Sequence, residues 1–382
     1  MTRRLALLIG SALAAGGVAV AQGPQPAPPA SAPRTPAADT DADRAAAVNR
    51  LAAMLEENYV FPEYGRQYAE ALRRKAAAGG YANAGDPAAF AQALTADLQA
   101  VHPDLHLRIR PAGAGPTMRF GPGPGPGAGP GPAGGPRPRL MLGGPDAATA
   151  IGRSGWIADG IAYIELRLFP GTDESIATIR RFMADHRNAR AIIFDIRGHH
   201  GGGPAEMDAI FPYLFGEETL LVGMDTRTAA ERTGVGPLGD HPELRQVAGP
   251  EGVVRRLHYA LPGPDTPLRR AQVFLLTSRR TGSAAEHFSL ALKRTHRATL
   301  IGEPTAGANH FGRMVDLGGY TAFLPVGRTF DPDNDRDWEG TGVAPDVAVP
   351  ADQALDEALR RLGVTPAQRR ELPPAGGGTP AA

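Results

Sequence analysis

The segment from Thr277 to Lys293, TSRRTGSAAEHFSLALK, holds the residues of this chain whose types and spacing best suit nucleophilic catalysis. The apolar run AQVFLLT before it predicts a buried strand, and the residues from Ser283 onward predict a helix. A short strand-to-helix turn places its side chains at the carboxyl edge of a sheet, where open α/β sheets bind ligands. The helix N-terminus also offers free backbone N–H groups, which suit a developing oxyanion.

Ser283 lies at the mouth of this helix, between a glycine and two alanines that leave room for a substrate. It is either a nucleophile or an ordinary N-cap serine, in which case Glu286 three positions later would complete a capping box. Ser278 falls in the turn, and Ser289 lies farther into the helix, where a hydroxyl usually faces solvent or bonds to the backbone. His287, at i+4 from Ser283, shares its helix face and is one candidate for the base.

Four sequence elements occur in a fixed order: DIRGHHGGG from Asp195, TSRRTGSAAE from Thr277, GEPTAG from Gly302 and WEGTGVAPDV from Trp338. Together they resemble peptidase family S41, which includes the C-terminal processing (tail-specific) proteases, the tricorn core protease and the interphotoreceptor retinoid-binding modules. The helical stretch with NYVFPE and DLHLRI is similar to the N-terminal domain of the retinoid-binding-like branch. The resemblance implies an α/β fold with a ClpP/crotonase-like core of ββα units, a small N-terminal helical domain and no PDZ domain. It also implies that Ser283 is the nucleophile.

The resemblance further implies which groups activate Ser283. Tail-specific proteases use a lysine in the turn after the G-E-x-T-A-G element, but Ala308 holds that place here. Lys293 lies ten residues along the same helix, which is about 15 Å at 1.5 Å per residue. The tricorn-like and retinoid-binding-like members instead imply that His106, in DLHLRI, is the base and that Glu339 is the carboxylate orienting it.

The oxyanion hole would combine the Ala284 N–H with an N–H from the glycine turn at 198–203. Gly201 is the preferred second donor, because glycine permits a positive φ and close approach. Asp195 and Arg197 are interpreted as bracing this turn, and its two histidines as candidates to line the cleft. No metal-ligand spacing or phosphate loop is present, and the acidic run DPDNDRDWEG fails the EF-hand pattern, so no cofactor is expected.

Composition shifts along the chain predict six segments. The runs AIIFDI and VFLL lack alternation, as expected of strands covered on both faces, and strands alternate with helices, which favours a largely parallel sheet. The predicted segments are a secretory signal peptide (1–21), a Pro/Ala-rich linker (22–42), an N-terminal helical domain (43–110), a Gly/Pro-rich disordered insert (111–150), an α/β domain (151–368), which the resemblance implies to be a serine peptidase-like catalytic domain, and a disordered tail (369–382).

Forty basic and forty acidic residues balance in this chain, so no charge excess indicates a nucleic-acid partner. The chain has no cysteine and therefore no disulfides. No segment after the signal peptide reaches the roughly 20 apolar residues of a membrane helix. We expect a periplasmic or secreted peptidase acting on peptides or proteins. A carrier of retinoid-like or fatty-acid-like ligands and an esterase-like hydrolase stay open as alternatives, and the sequence indicates no oligomeric state.

Overall fold

The computed structural model describes residues 39–82, 84–114, 119–121, 139–141, 150–263 and 265–372. The predicted signal peptide, most of the linker and most of the tail lie outside these ranges. Within them, the helices are α1 (Asp41–Asn58), α2 (Pro62–Ala77), α3 (Pro87–Val101), α4 (Asp173–Asp185), α5 (Ala205–Leu214), α6 (Thr228–Arg232), α7 (Ala284–Arg294) and α8 (Ala354–Arg361).

The strands of the described ranges are β1 (Ile109–Pro111), β2 (Arg119–Gly121), β3 (Arg139–Met141), β4 (Ile151–Ala158), β5 (Ile161–Leu166), β6 (Ala191–Asp195), β7 (Thr219–Arg227), β8 (Leu244–Val247), β9 (Val253–Ala260), β10 (Gln272–Thr277), β11 (Thr299–Gly302), β12 (Phe311–Asp316), β13 (Tyr320–Phe330) and β14 (Val347–Ala348). Strands β2 and β3 pair antiparallel inside the predicted disordered insert. None of the helices in this part of the chain is both long and apolar enough to cross a bilayer.

A six-stranded sheet with the order β14-β11-β10-β6-β5-β4 forms the α/β core. Its strands run parallel except β4, which pairs antiparallel with β5. Alternate residues of β6 enter two different cores. Ile192 and Phe194 pack with α4, α5 and α7, whereas Ala191 and Ile193 pack with α8. The prediction of buried parallel strands covered on both faces is therefore confirmed, and the carboxyl ends of β6 and β10 lie side by side.

A second, antiparallel sheet with the order β1-β13-β7-β9-β8, with β12 also paired to β13, was not predicted. The helices α1, α2 and α3 pack against it. Leu51, Tyr68 and Leu94 share one core with Ala322 and Leu324 of β13. Strand β1, which follows the DLH segment, joins the edge of the same sheet through β13. The N-terminal helices and the α/β core thus belong to one compact unit that begins at Asp39. The pairing of β1 with β13 fixes the position of the DLH segment, which directly precedes β1.

Candidate active site

Ser283 occupies a strained backbone position between the end of β10 and the start of α7. Its φ is 58° and its ψ is −123°, a region that non-glycine residues adopt at a cost of about 1–3 kcal/mol. An ordinary N-cap residue is extended instead. The turn therefore has the character of a nucleophile elbow, in which a sharp strand-to-helix turn exposes a serine hydroxyl above a sheet.

Glu286, one turn into α7, stabilises this elbow through hydrogen bonds. Its fully buried carboxylate accepts the N–H of Ser283 at 2.8 Å, the hydroxyl of Thr305 at 2.6 Å, and the N–H groups of Gly307 and Ala308 at 2.7 and 2.9 Å. Burial raises the pKa of Glu286 to about 7 although these donors oppose the rise. The contacts tie the GEPTAG loop to the serine turn, and Ala308, at the place of the family lysine, is fully buried there.

The DIRG turn holds the elbow from the neighbouring strand. Ser278 and Thr281 donate their hydroxyls to the carbonyl oxygens of Arg197 and Ile196 at 2.6 and 2.8 Å. Arg197 forms an ion pair with Asp195 at 2.6 Å. Two turns from adjacent parallel strands are thus linked by side-chain hydrogen bonds, and Ser278 acts as scaffold rather than as an exposed hydroxyl.

Ser283 opens into a cavity of 220 Å³, whose remaining lining comes from the glycine turn, α5, α7 and the antiparallel sheet. Ala284, the first residue of α7, also lines it, and an N–H at that position precedes the intrahelical bonds. The other lining residues are Gly202, Gly203, Pro204, Met207, Met224, Pro237, Leu238, His287, Asn309, Phe311, Gly312, Phe323, Thr329 and Trp338. The walls are mostly apolar.

Gly201 lies against Ser283, but its N–H is engaged within the turn. A Cβ built on Gly201 would come within 2.7 Å of the Ser283 Cβ, and its φ is +107°, so the position requires glycine. The Gly201 N–H, however, donates to Nδ1 of His199 at 3.0 Å. The Gly201 N–H is therefore engaged, and Gly202 lines the cavity beside Ser283.

His106 is fully buried and packs against Phe323, one of the residues that line this cavity. Its N–H donates to Oδ1 of Asp104 at 2.8 Å, and its ring stacks on Phe323 with centroids 5.1 Å apart. Phe323 in turn lines the cavity with Ser283. Burial lowers the pKa of the His106 imidazole to about 4, although the Asp104 carboxylate offsets part of this effect. The ring is therefore neutral at neutral pH and able to accept a proton.

Glu339 reaches the same segment through the backbone. Its Oε1 accepts the N–H of Leu105 at 3.2 Å, and its Oε2 accepts the N–H groups of Asn309 and His310 at 2.6 and 3.3 Å. Burial raises the pKa of Glu339 to about 7, although the neighbouring His310 opposes this rise. The structure thus brings Glu339 to the residue before His106.

Asp104 and His310 complete this cluster and were not singled out from the sequence. Oδ2 of Asp104 lies 2.8 Å from Nδ1 of His310 and accepts the hydroxyl of Tyr59 at 2.7 Å. Although burial favours a neutral ring, Glu339 and Asp104 raise the pKa of His310 to about 9. The cluster is a buried cation between two carboxylates. Its only sequence signals are the D-L-H spacing and the histidine directly after GEPTAGAN.

Asp104, His310 and Glu339 each offer a ligand atom within 4.8 Å of the others, which is a spacing that a metal ion could use. The donor set does not fit one. Oδ1 of Asp104 already accepts two N–H groups, and Oδ2 and both oxygens of Glu339 accept further bonds. A histidine binds a metal through an unprotonated nitrogen, whereas Glu339 and Asp104 favour the protonated ring of His310. The cluster is therefore an ion-pair network that fixes the DLH segment.

The two lysines of the chain are engaged away from Ser283. Lys75 forms an ion pair with Asp97 at 2.8 Å, on α2 and α3. Lys293 donates to the carbonyl oxygen of Ala344 at 2.6 Å and lies 3.2 Å from Asp346. These contacts agree with the expectation that no Ser/Lys dyad operates here.

Comparison with known proteins agrees with this architecture. Residues 160–349 match the model of peptidase family S41, and residues 39–125 match that of the N-terminal domain of this peptidase in eukaryotic IRBP. The solved structure of the photosystem II D1 C-terminal processing protease is similar over 86% of this chain and 99% of its own, with 17% identity and a TM-score of 0.50. At that identity the likeness shows the fold.

Two further solved structures are similar at lower scores. A lipoprotein from Streptococcus agalactiae is 12% identical over 84% of this chain and 96% of its own, with a TM-score of 0.49. The tricorn protease is 14% identical over 84% of this chain and 36% of its own, with a TM-score of 0.47.

Proposed function

This chain belongs to peptidase family S41, and from that premise we propose that it is a serine peptidase whose nucleophile is Ser283. The observation that carries the proposal is the strained backbone of Ser283 at the mouth of α7, beside a glycine turn and open to a cavity. A serine with only a capping role would gain nothing from this conformation. The proposed substrates of the protein are peptides or proteins.

His106 is the base in this proposal. As the Ser283 oxygen attacks a carbonyl carbon, its proton passes to the neutral imidazole of His106, and the oxyanion is held by the N–H groups of Ala284 and Gly202. The protonated imidazole then donates to the leaving amine. A water deprotonated by His106 hydrolyses the acyl-enzyme and restores the serine.

Glu339 and Asp104 position His106 in this scheme. Asp104 accepts the His106 N–H, and Glu339 accepts the N–H of the preceding residue, so both carboxylates fix the backbone from which the ring projects. His310 binds the two carboxylates together. The negative charge of Asp104 stabilises the imidazolium as it forms, since this carboxylate already raises the pKa of His106 against the effect of burial.

Labelling with a fluorophosphonate probe tests the nucleophile. We expect the wild-type protein to be labelled, Ser283→Ala to be unlabelled and His106→Ala to be labelled at least 100-fold more slowly, as for loss of a general base. Ser289→Ala is the matched control, because that hydroxyl donates to the Ala285 carbonyl oxygen at 2.7 Å inside the helix. Labelling that persists in Ser283→Ala refutes the assignment, and an unlabelled wild-type protein that co-purifies with an apolar ligand favours the carrier alternative.

The proposal includes export. The positive residues Arg3 and Arg4, the apolar run that follows and the Ala-Val-Ala site ending at Ala21 motivate it. Expression in a bacterial host should release a mature protein beginning at Gln22, to be identified by mass spectrometry of its N-terminal peptide. Intact N-termini in all of the recovered protein would contradict this part of the proposal.

A further inference from the structure

Three polar side chains form a hydrogen-bonded chain that the proposed mechanism does not use. Asp208 of α5 lies 2.8 Å from Nε2 of His258 on β9, and Nδ1 of His258 lies 2.8 Å from Nε2 of His287 on α7. His258 and His287 are only 1% and 5% exposed. Three separate elements thus contribute to one buried line of donors and acceptors that ends beside Ser283.

The carboxylate at one end fixes the protons along this line. Asp208 accepts only, so Nε2 of His258 carries a proton. When the His258 ring is neutral, its Nδ1 is an acceptor, and Nε2 of His287 then donates the proton between the rings. Nδ1 of His287 is left with its lone pair. Because Nε2 is engaged, Nδ1 is the polar atom that this ring can present to the cavity.

The cavity that His287 lines is one in which this lone pair could bind a hydrogen-bond donor of a ligand. Most of its lining side chains are apolar, among them Met207, Met224, Leu238 and Trp338. An acceptor in such a wall recognises a donor strongly, because a ligand without one leaves the buried nitrogen unsatisfied. A peptide backbone offers N–H donors at regular intervals, whereas an ester oxygen offers none.

We propose that Nδ1 of His287 accepts a backbone N–H of the substrate next to the scissile bond, and so makes this site selective for peptides over esters. Asp208 and His258 are positioning residues that keep the proton of His287 on Nε2. The inference rests on the proposed function, since it concerns the substrate of the Ser283 site.

An acceptor role suits His287 better than the role of base. Burial and the neighbouring His258 hold the pKa of His287 well below its usual value. A base must carry the abstracted proton for part of each turnover. His106 has the Asp104 carboxylate to stabilise that charge, and His287 has a second imidazole instead.

Ester-for-amide substitution in the substrate tests the recognition. A fluorogenic peptide cleaved by the wild-type protein, drawn from a mixed-sequence library, is compared with variants in which one flanking amide at a time is an ester and the scissile amide is kept. At one position we expect kcat/KM of the wild-type protein to fall about tenfold, the usual effect of removing one hydrogen bond. In His287→Phe the same ester should cost nothing.

His241→Phe is the matched control, because His241 pairs with Glu243 at 3.1 Å and does not line the cavity. It should retain the wild-type preference for the amide. An equal loss in wild type and His287→Phe at every ester position overturns the proposal. So does a loss of fluorophosphonate labelling in His287→Phe with retention in His106→Ala, which would make His287 the base.

The proton positions are measured without reference to activity. In protein with ¹⁵N-labelled histidine at pH 8, we expect His287 to show a protonated Nε2 and a bare Nδ1, and His258→Phe to shift this ring toward a mixture of tautomers. A protonated Nδ1 in the wild-type protein overturns the inference. Failure of the serine peptidase assignment appears separately, as absence of labelling at Ser283.

Discussion

Replacing Ser283 with glycine should stabilise the protein relative to replacing it with alanine. Both changes remove the hydroxyl, so they differ only in the Cβ atom at a position whose φ is 58° and ψ is −123°. Alanine keeps the strain of about 1–3 kcal/mol that a non-glycine residue pays there. Glycine relieves it but loses about 0.5–1 kcal/mol through the greater freedom of the unfolded chain.

The net difference is about 1.5 kcal/mol in favour of Ser283→Gly. For a unit of this size, with an unfolding entropy of about 2.1 cal/mol/K per residue, it corresponds to a melting temperature roughly 2 °C higher. Differential scanning calorimetry of the two purified variants measures it. Comparing two inactive variants also removes any effect of self-digestion during heating.

A second pair on the same helix supplies the control. Ser289 lies inside α7, where glycine is about 1 kcal/mol worse than alanine, and its side chain is fully buried. Ser289→Gly should therefore melt below Ser289→Ala, the opposite order to the pair at 283. If Ser283→Gly melts at or below Ser283→Ala, the elbow is unstrained and the central argument for a nucleophile there fails.

Three further predictions concern the groups around the elbow. Burial raises the pKa of Glu286 from 4.5 to about 7. Its favourable contribution to the free energy of unfolding is therefore complete below pH 4.5 and is lost as the pH rises through 7, a loss of about 3 kcal/mol. Urea unfolding of Glu286→Gln should lack this pH dependence, although the variant is less stable at pH 5. Gly201→Ala should abolish labelling of Ser283, because the new Cβ would lie 2.7 Å from the serine Cβ; unchanged labelling would contradict the packing described. Asp104→Asn should lower the pKa of His310 from about 9, as followed by NMR titration, because one of the carboxylates that raise it is gone; an unmoved titration would show that the remaining carboxylates set it.

The sequence predicted the parts of the fold that depend on local patterns. The unalternating apolar runs of β6 and β10 indicated parallel strands covered on both faces. The antiparallel sheet was missed because several of its pairings are non-local. The partners β1 and β7 of strand β13 lie far away from it in the chain.

The same distinction applies to the site. Ser283 was found because its signal is local: a strand, small residues and a helix within one segment. The network around His106 depends on contacts across the chain, such as that between Asp104 and His310, 206 positions apart. The engagement of the Gly201 N–H by His199 depends on the direction of one ring, which no spacing encodes. The chain Asp208–His258–His287 likewise joins three elements that no motif relates.

The contacts of the His106 network join residues that lie far apart in the sequence, so the network cannot form before most of the chain has folded. The contact from Leu105 to Glu339 spans 234 positions, so the histidine side of the site closes only when the first and last parts of the folded unit have met. Long-range pairings of this kind form late, because loop closure must precede them. A nascent, truncated or misfolded chain therefore carries Ser283 without the assembled His106 network.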